Sequence, residues 1–127
     1  MIEINDSSLI IETEKFIKVL KIADILFFKA NGCYTEINMI TKEKILIPKT
    51  LKEIHGYFME TNFCRCHKSF LINMQHFIEL KKNDKERLVI LVNDTSISVS
   101  QRKLLSFKEC LKKMHISDKL KLTAINY

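Results

Sequence analysis

Residues 63–73 read Phe63-Cys64-Arg65-Cys66-His67-Lys68-Ser69-Phe70-Leu71-Ile72-Asn73. On an extended chain alternate side chains share a face, so Cys64 and Cys66 fall on one side and Arg65 and His67 on the other. Three consecutive polar residues, His67, Lys68 and Ser69, then interrupt the pattern before Phe70-Leu71-Ile72 resumes it. The stretch is two strands joined by a polar knot. Such a knot either serves only as a turn, or holds hydrogen-bond donors at a fixed place on a rigid scaffold, as phosphates and base edges require. The residues alone leave both readings open.

Working outward, Ile25–Ala30 is apolar on both faces, which marks a covered strand. Asn31-Gly32 separates it from Tyr34–Ile40 and predicts a hairpin. Ser8–Thr13 and Phe16–Lys21 read as two more strands, and Lys42-Glu43-Lys44 turns the chain into Ile45–Ile47. Pro48 ends that run. Thr50-Leu51-Lys52-Glu53 has the form of a capping box, with Leu51, Ile54, Tyr57 and Phe58 along one face of a short helix. Strands are expected at His76–Leu80, Arg87–Val92 and Thr95–Val99, with Asn93-Asp94 in the last turn. Ser100 is expected to cap a final helix to about Met114, whose stripe is Leu104, Phe107, Leu111 and Met114. Residues 115–127 stay open between an extra strand at Leu120–Thr123 and a frayed tail.

Composition agrees with a β-rich domain. The chain has 127 residues, enough for one core and too few for two, with no linker or repeat, so 1–127 is expected to form a single domain. Eighteen isoleucines against three alanines favour strands over helices. Two glycines and one proline exclude collagen and low-complexity disorder. No stretch approaches the ~20 apolar residues of a membrane span, and the N-terminus has no signal-peptide pattern, so a cytoplasmic location is expected. The four cysteines are then expected to be free thiols. Charge is unevenly placed: residues 1–62 carry a net −1 and residues 63–127 a net +7. A basic half points to a polyanion, either nucleic acid or an anionic membrane surface.

The motifs together resemble the LytTR family of bacterial DNA-binding domains. Its signature is matched at Phe63, Arg65, His67, Lys68, Ser69, Phe70, Ile72 and Asn73. Asp24-Ile25-Leu26-Phe27-Phe28, Gly32-Cys33-Tyr34, Thr50-Leu51-Lys52-Glu53 and Ile97-Ser98-Val99-Ser100-Gln101-Arg102 are similar to further family elements, in order, over about residues 17–114. Lys68 stands where arginine is usual, Ser98 where proline is usual, and the arginine after Ser100 is displaced by one. The resemblance implies mainly β structure with two short helices, as elongated antiparallel sheets that place loops into successive major grooves of double-stranded DNA. It further implies paired direct repeats, occupied by two copies of the chain, and a role as a transcription regulator or its output domain. An N-terminal receiver domain, common in the family, does not fit in this length.

Carried onto this sequence, the resemblance places Asn31 and Tyr34, then Arg65, His67, Lys68 and Ser69, then Gln101, Arg102 and Lys103 against DNA. Asn31 suits a bidentate adenine contact, though Asn-Gly is first of all turn chemistry. Tyr34 can bind a phosphate or pack in the sheet. Lys68 suits phosphate or guanine. His67 is read as holding the knot from within, and Arg65 as a phosphate contact or a surface ion pair. Arg102 and Lys103 fall in the expected first turn of the last helix, where the dipole disfavours cations by ~0.3–1 kcal/mol and a bound phosphate would favour them.

Other classes fit less well. One C-x-C on a strand lacks the paired spacing of a zinc site, so no metal or other cofactor is expected. His55, His76 and His115 have no ligand spacing and are read as surface or structural. No nucleophile–base pair or glycine phosphate loop points to an enzyme or a small-molecule substrate. The last helix lacks the tryptophan anchors of a membrane-surface helix. The remaining alternative is a protein–protein interaction module that regulates a partner transcription factor without touching DNA.

Overall fold

The computed structural model describes residues 1–125, with side chains through Met114. Among them are eleven strands in three antiparallel sheets. The first sheet holds β1 (Ile2–Ile4), β2 (Ser8–Glu12) and β3 (Ile17–Lys21) in that order. The central five-stranded sheet is ordered β6-β5-β4-β8-β7. Its strands are β4 (Ile25–Asn31), β5 (Tyr34–Met39), β6 (Lys44–Ile47), β7 (Phe63–His67) and β8 (Phe70–Asn73). The third sheet is the meander β9 (Phe77–Lys82), β10 (Arg87–Leu91) and β11 (Thr95–Ser98). Helix α1 (Leu51–Tyr57) lies between β6 and β7, and α2 (Leu104–Ile125) follows β11.

The central sheet is covered on both sides, which explains why β4 is apolar on both faces. On one side Phe28, Ile37, Ile45 and Leu71 pack with Leu9, Ile11 and Leu20 of the first sheet and Leu51, Ile54 and Phe58 of α1. Phe28, Phe58 and Phe63 meet there with ring centroids 4.6–5.6 Å apart. On the other side Leu26, Cys64, Cys66 and Ile72 pack with Val89, Leu91 and Ile97 of the third sheet and Phe107 of α2. Alternation in β7 therefore sorts as read: the two cysteines are buried while Arg65 and His67 are half-buried.

The mainly β architecture and the Thr50–Glu53 capping box are as expected, with the Thr50 side chain accepting from the Glu53 backbone and the Glu53 side chain from the Thr50 backbone. Several details differ. The β4–β5 hairpin turns at Gly32-Cys33 rather than Asn31-Gly32, because Asn31 pairs with Tyr34 in the ladder and Gly32 takes the left-handed φ of 61°. Tyr57 is exposed, not on the buried face of α1. Ser100 makes no side-chain cap: a 3-10 turn, Gln101–Lys103, comes first, and the Lys103 N–H bonds the Ser100 carbonyl at 3.0 Å. The last helix is not short. It continues past Met114 to Ile125 in place of a strand or a frayed tail, and residues 126–127 lie outside the described residues.

Candidate nucleic-acid interface

Two backbone hydrogen bonds gather the three sequence-predicted segments at one end of the central sheet. The Ala30 N–H donates to the Ser69 carbonyl at 2.8 Å, setting the Asn31–Tyr34 turn beside the knot. The Ser100 N–H donates to the Cys66 carbonyl at 3.3 Å, setting Gln101–Lys103 on the knot's other flank. The strand directions require this: β4 and β7 end at that edge, and β8 starts there.

The knot is held from inside. The Arg65 guanidinium donates from Nε to the His67 carbonyl at 3.1 Å and from one terminal nitrogen to the Lys68 carbonyl. Among the described residues it makes no ion pair; it clamps the turn by two charge-assisted bonds. Partial burial lowers its pKa from the usual arginine value. His67 accepts the Ser69 N–H on Nδ1 at 3.1 Å and packs edge-on against Phe70. With Nδ1 an acceptor, the proton of the neutral ring sits on Nε2. Asn73 is buried, donating to the Ile22 and Ile25 carbonyls at 3.3 and 2.9 Å, a structural anchor between β8 and the turn that leads into β4.

The knot's outward surface is cationic. Lys68, Gln101, Arg102 and Lys103 are exposed, and among the described residues none of the three cations is in an ion pair. Asn31 is exposed, and Tyr34 is 47% exposed above a shallow groove formed with Phe16, Leu46 and Pro48. His55 of α1, read from the sequence as surface or structural, is half-buried. It lies in the field of Arg65 and Lys103, and burial first, then those two cations, lower its pKa. Nothing local in the sequence marks it, because α1 reaches this end only through packing.

Cys64, Cys66 and Cys110 lie behind the interface, whereas Cys33 is exposed in the β4–β5 turn itself. Cys66 is fully buried, and burial raises its thiol to about 12, the reverse of a reactive thiolate. The Cys64 thiol is raised by its hydrogen bond with Cys110 and by burial. Among the described residues no three His, Cys, Asp or Glu side chains group as metal ligands. No helix there is long and apolar enough to cross a membrane.

Fold and site together define a class: a β-scaffold that presents adjoining cationic turns to a polyanion. The LytTr DNA-binding domain model matches residues 15–112, and the chain belongs to the LytTR family of DNA-binding domains. It is 30% identical over 88 residues to the transcriptional regulatory protein NatR of Bacillus subtilis, covering 69% of this chain and 37% of NatR. It is 28% identical over 96 residues to the transcriptional regulatory protein BtsR of Salmonella typhi, covering 75% of this chain and 39% of BtsR. The chain thus spans under two fifths of these relatives. The solved LytTr DNA-binding domain from Bacillus cereus superposes with a TM-score of 0.71 at 20% identity, covering 84% of this chain and 98% of that one. That likeness concerns the fold.

Proposed function

We propose that this chain reads specific double-stranded DNA sequences through turns set into the major groove, as a transcription regulator or the DNA-binding part of one. The meeting of three turns through the Ala30–Ser69 and Ser100–Cys66 bonds carries the reading, because it makes one surface from segments far apart in sequence. Lys68 extends from the knot to a phosphate or a guanine edge. Arg102, with its planar fork, reads a base, while Lys103 holds the backbone. Asn31, Tyr34, Gln101, Ser69 and the Nε2–H of His67 supply neutral polar contacts at the rim. Arg65 is a positioning residue. The unpaired cations at Lys68, Arg102 and Lys103 weigh against a DNA-free interaction module, whose contact face would be neutral or acidic.

One small domain covers few base pairs, so we assign two copies to paired direct repeats. Selection of binding sites from random duplex DNA tests the reading. A repeated motif is the expected result, and absence of any enriched sequence overturns it.

A further inference from the structure

We propose that the β9–β10 hairpin is a further part of this surface, with Lys82 and Arg87 gripping DNA phosphates beside Gln101–Lys103. The inference rests on the DNA-binding reading above and adds residues that neither the signature nor the knot includes. Lys82 and Arg87 are directly opposed in the β9–β10 ladder. The Val99 N–H donates to the Arg87 carbonyl at 3.0 Å, only two residues before Gln101. The hairpin tip therefore projects at the same end as the three turns.

The pair also faces the right side. Residues two apart in a strand share a face. The next opposed pair along that face, Leu80 and Val89, belongs to the core under α2. Lys82 and Arg87 thus continue the α2-facing side beyond the edge of the core, toward the segment that enters the 3-10 turn. Directly opposed like charges destabilise a strand pair. No acid relieves them among the described residues, where the ion pairs are Lys18–Glu43, Lys49–Glu53 and Lys81–Glu79. Lys81, one residue away, points to the opposite face and is paired with Glu79 at 3.9 Å. Asp84 and Glu86 belong to the turn, which the Asn83 side chain closes by accepting the Lys85 and Glu86 N–H groups. A phosphate lying across Lys82 and Arg87 would remove the repulsion between them.

The test measures binding of the full chain to its selected duplex over a range of salt. Lys82→Gln with Arg87→Gln is expected to weaken binding roughly ten-fold on every sequence and to lower the salt slope by about two, with base preference unchanged. Lys81→Gln should leave affinity nearly as it was. The double variant should unfold at the same or a slightly higher temperature, since the repulsion is gone. Independently of any variant, wild-type protein should lose affinity when flanking phosphates are replaced by neutral methylphosphonates, and the double variant should lose no more at those positions. Wild-type affinity and slope in the double variant, or an equal loss from Lys81→Gln, would overturn the hairpin assignment while leaving the three-turn reading intact. A wild-type chain that binds no duplex at all overturns the three-turn reading instead.

Discussion

Arg65 is the residue on which the interface depends without facing outward. Its two donors meet two backbone carbonyls of the knot, and a lysine ammonium, being a point donor, cannot span both. Arg65→Lys should therefore lower stability by ~1–2 kcal/mol in denaturant titrations and weaken DNA binding on all sequences. Were Arg65 itself a phosphate contact, the same change would nearly preserve affinity. Arg102 and Lys103 should separate differently. Arg102→Ala should cost ~1–3 kcal/mol on the preferred site and far less on a site altered at the contacted base pair. Lys103→Ala should weaken all sites alike and lower the salt slope by about one. A selectivity profile untouched by Arg102→Ala would return base reading to Gln101. His55 adds a pH dependence. Its folded pKa lies below the unfolded value of about 6.5, so the unfolded chain takes up its proton first as pH falls. Above that pH the imidazole is neutral in both states and contributes nothing. Below it stability declines until the folded ring also charges. Thermal melts of His55→Gln should show a shallower loss on acidification than the wild type.

At the level of elements, the hairpin turn is a sharp case. Gly32 has φ of 61°, and a Cβ built there meets nothing within 4 Å. The demand is thus purely conformational, and Gly32→Ala should cost ~1–2 kcal/mol from the left-handed backbone alone. Gly32→Asn should cost less, because asparagine tolerates that region. Equal midpoints for all three proteins in urea would contradict this. The last helix shows where local reading stops. Its apolar stripe identifies the helix, yet its start is shifted by a 3-10 turn that uses the Lys103 and Leu104 N–H groups. Fewer amides than in an uncapped α-helical turn are left to meet a phosphate, so in the proposed reading the cations of Arg102 and Lys103 would carry that contact.

For the whole molecule, the proposal of two copies on direct repeats carries a helical phase requirement. Inserting about half a turn, ~5 base pairs, between half-sites should sharply weaken paired binding, and a full turn, ~10 base pairs, should restore much of it. Affinity and stoichiometry indifferent to spacing in gel-shift titrations would exclude cooperative pairing. Both central-sheet faces are covered, so any contact between the two proposed copies would form at the edges of the scaffold, with the cores intact.

Much of this protein was legible in its sequence. Alternation sorted Cys64 and Cys66 from Arg65 and His67, the two-faced apolar run of β4 announced a covered strand, and Thr50–Glu53 announced a cap. Periodicity, turn propensity and capping depend on residues close along the chain, so a single sequence contains them. The knot was visible as an interruption, and the linked motifs identified the family. Tertiary structure alone turned Arg65 inward, brought His55 under two cations and aligned Lys82 with Arg87 beside the last turn. It also joined residues 31, 69 and 101 into one surface. Those outcomes depend on which strand edges pair across dozens of residues, as in Ala30 with Ser69 and Cys66 with Ser100. Long-range pairing is selected by the packing of both cores together, and no local stretch of residues encodes it.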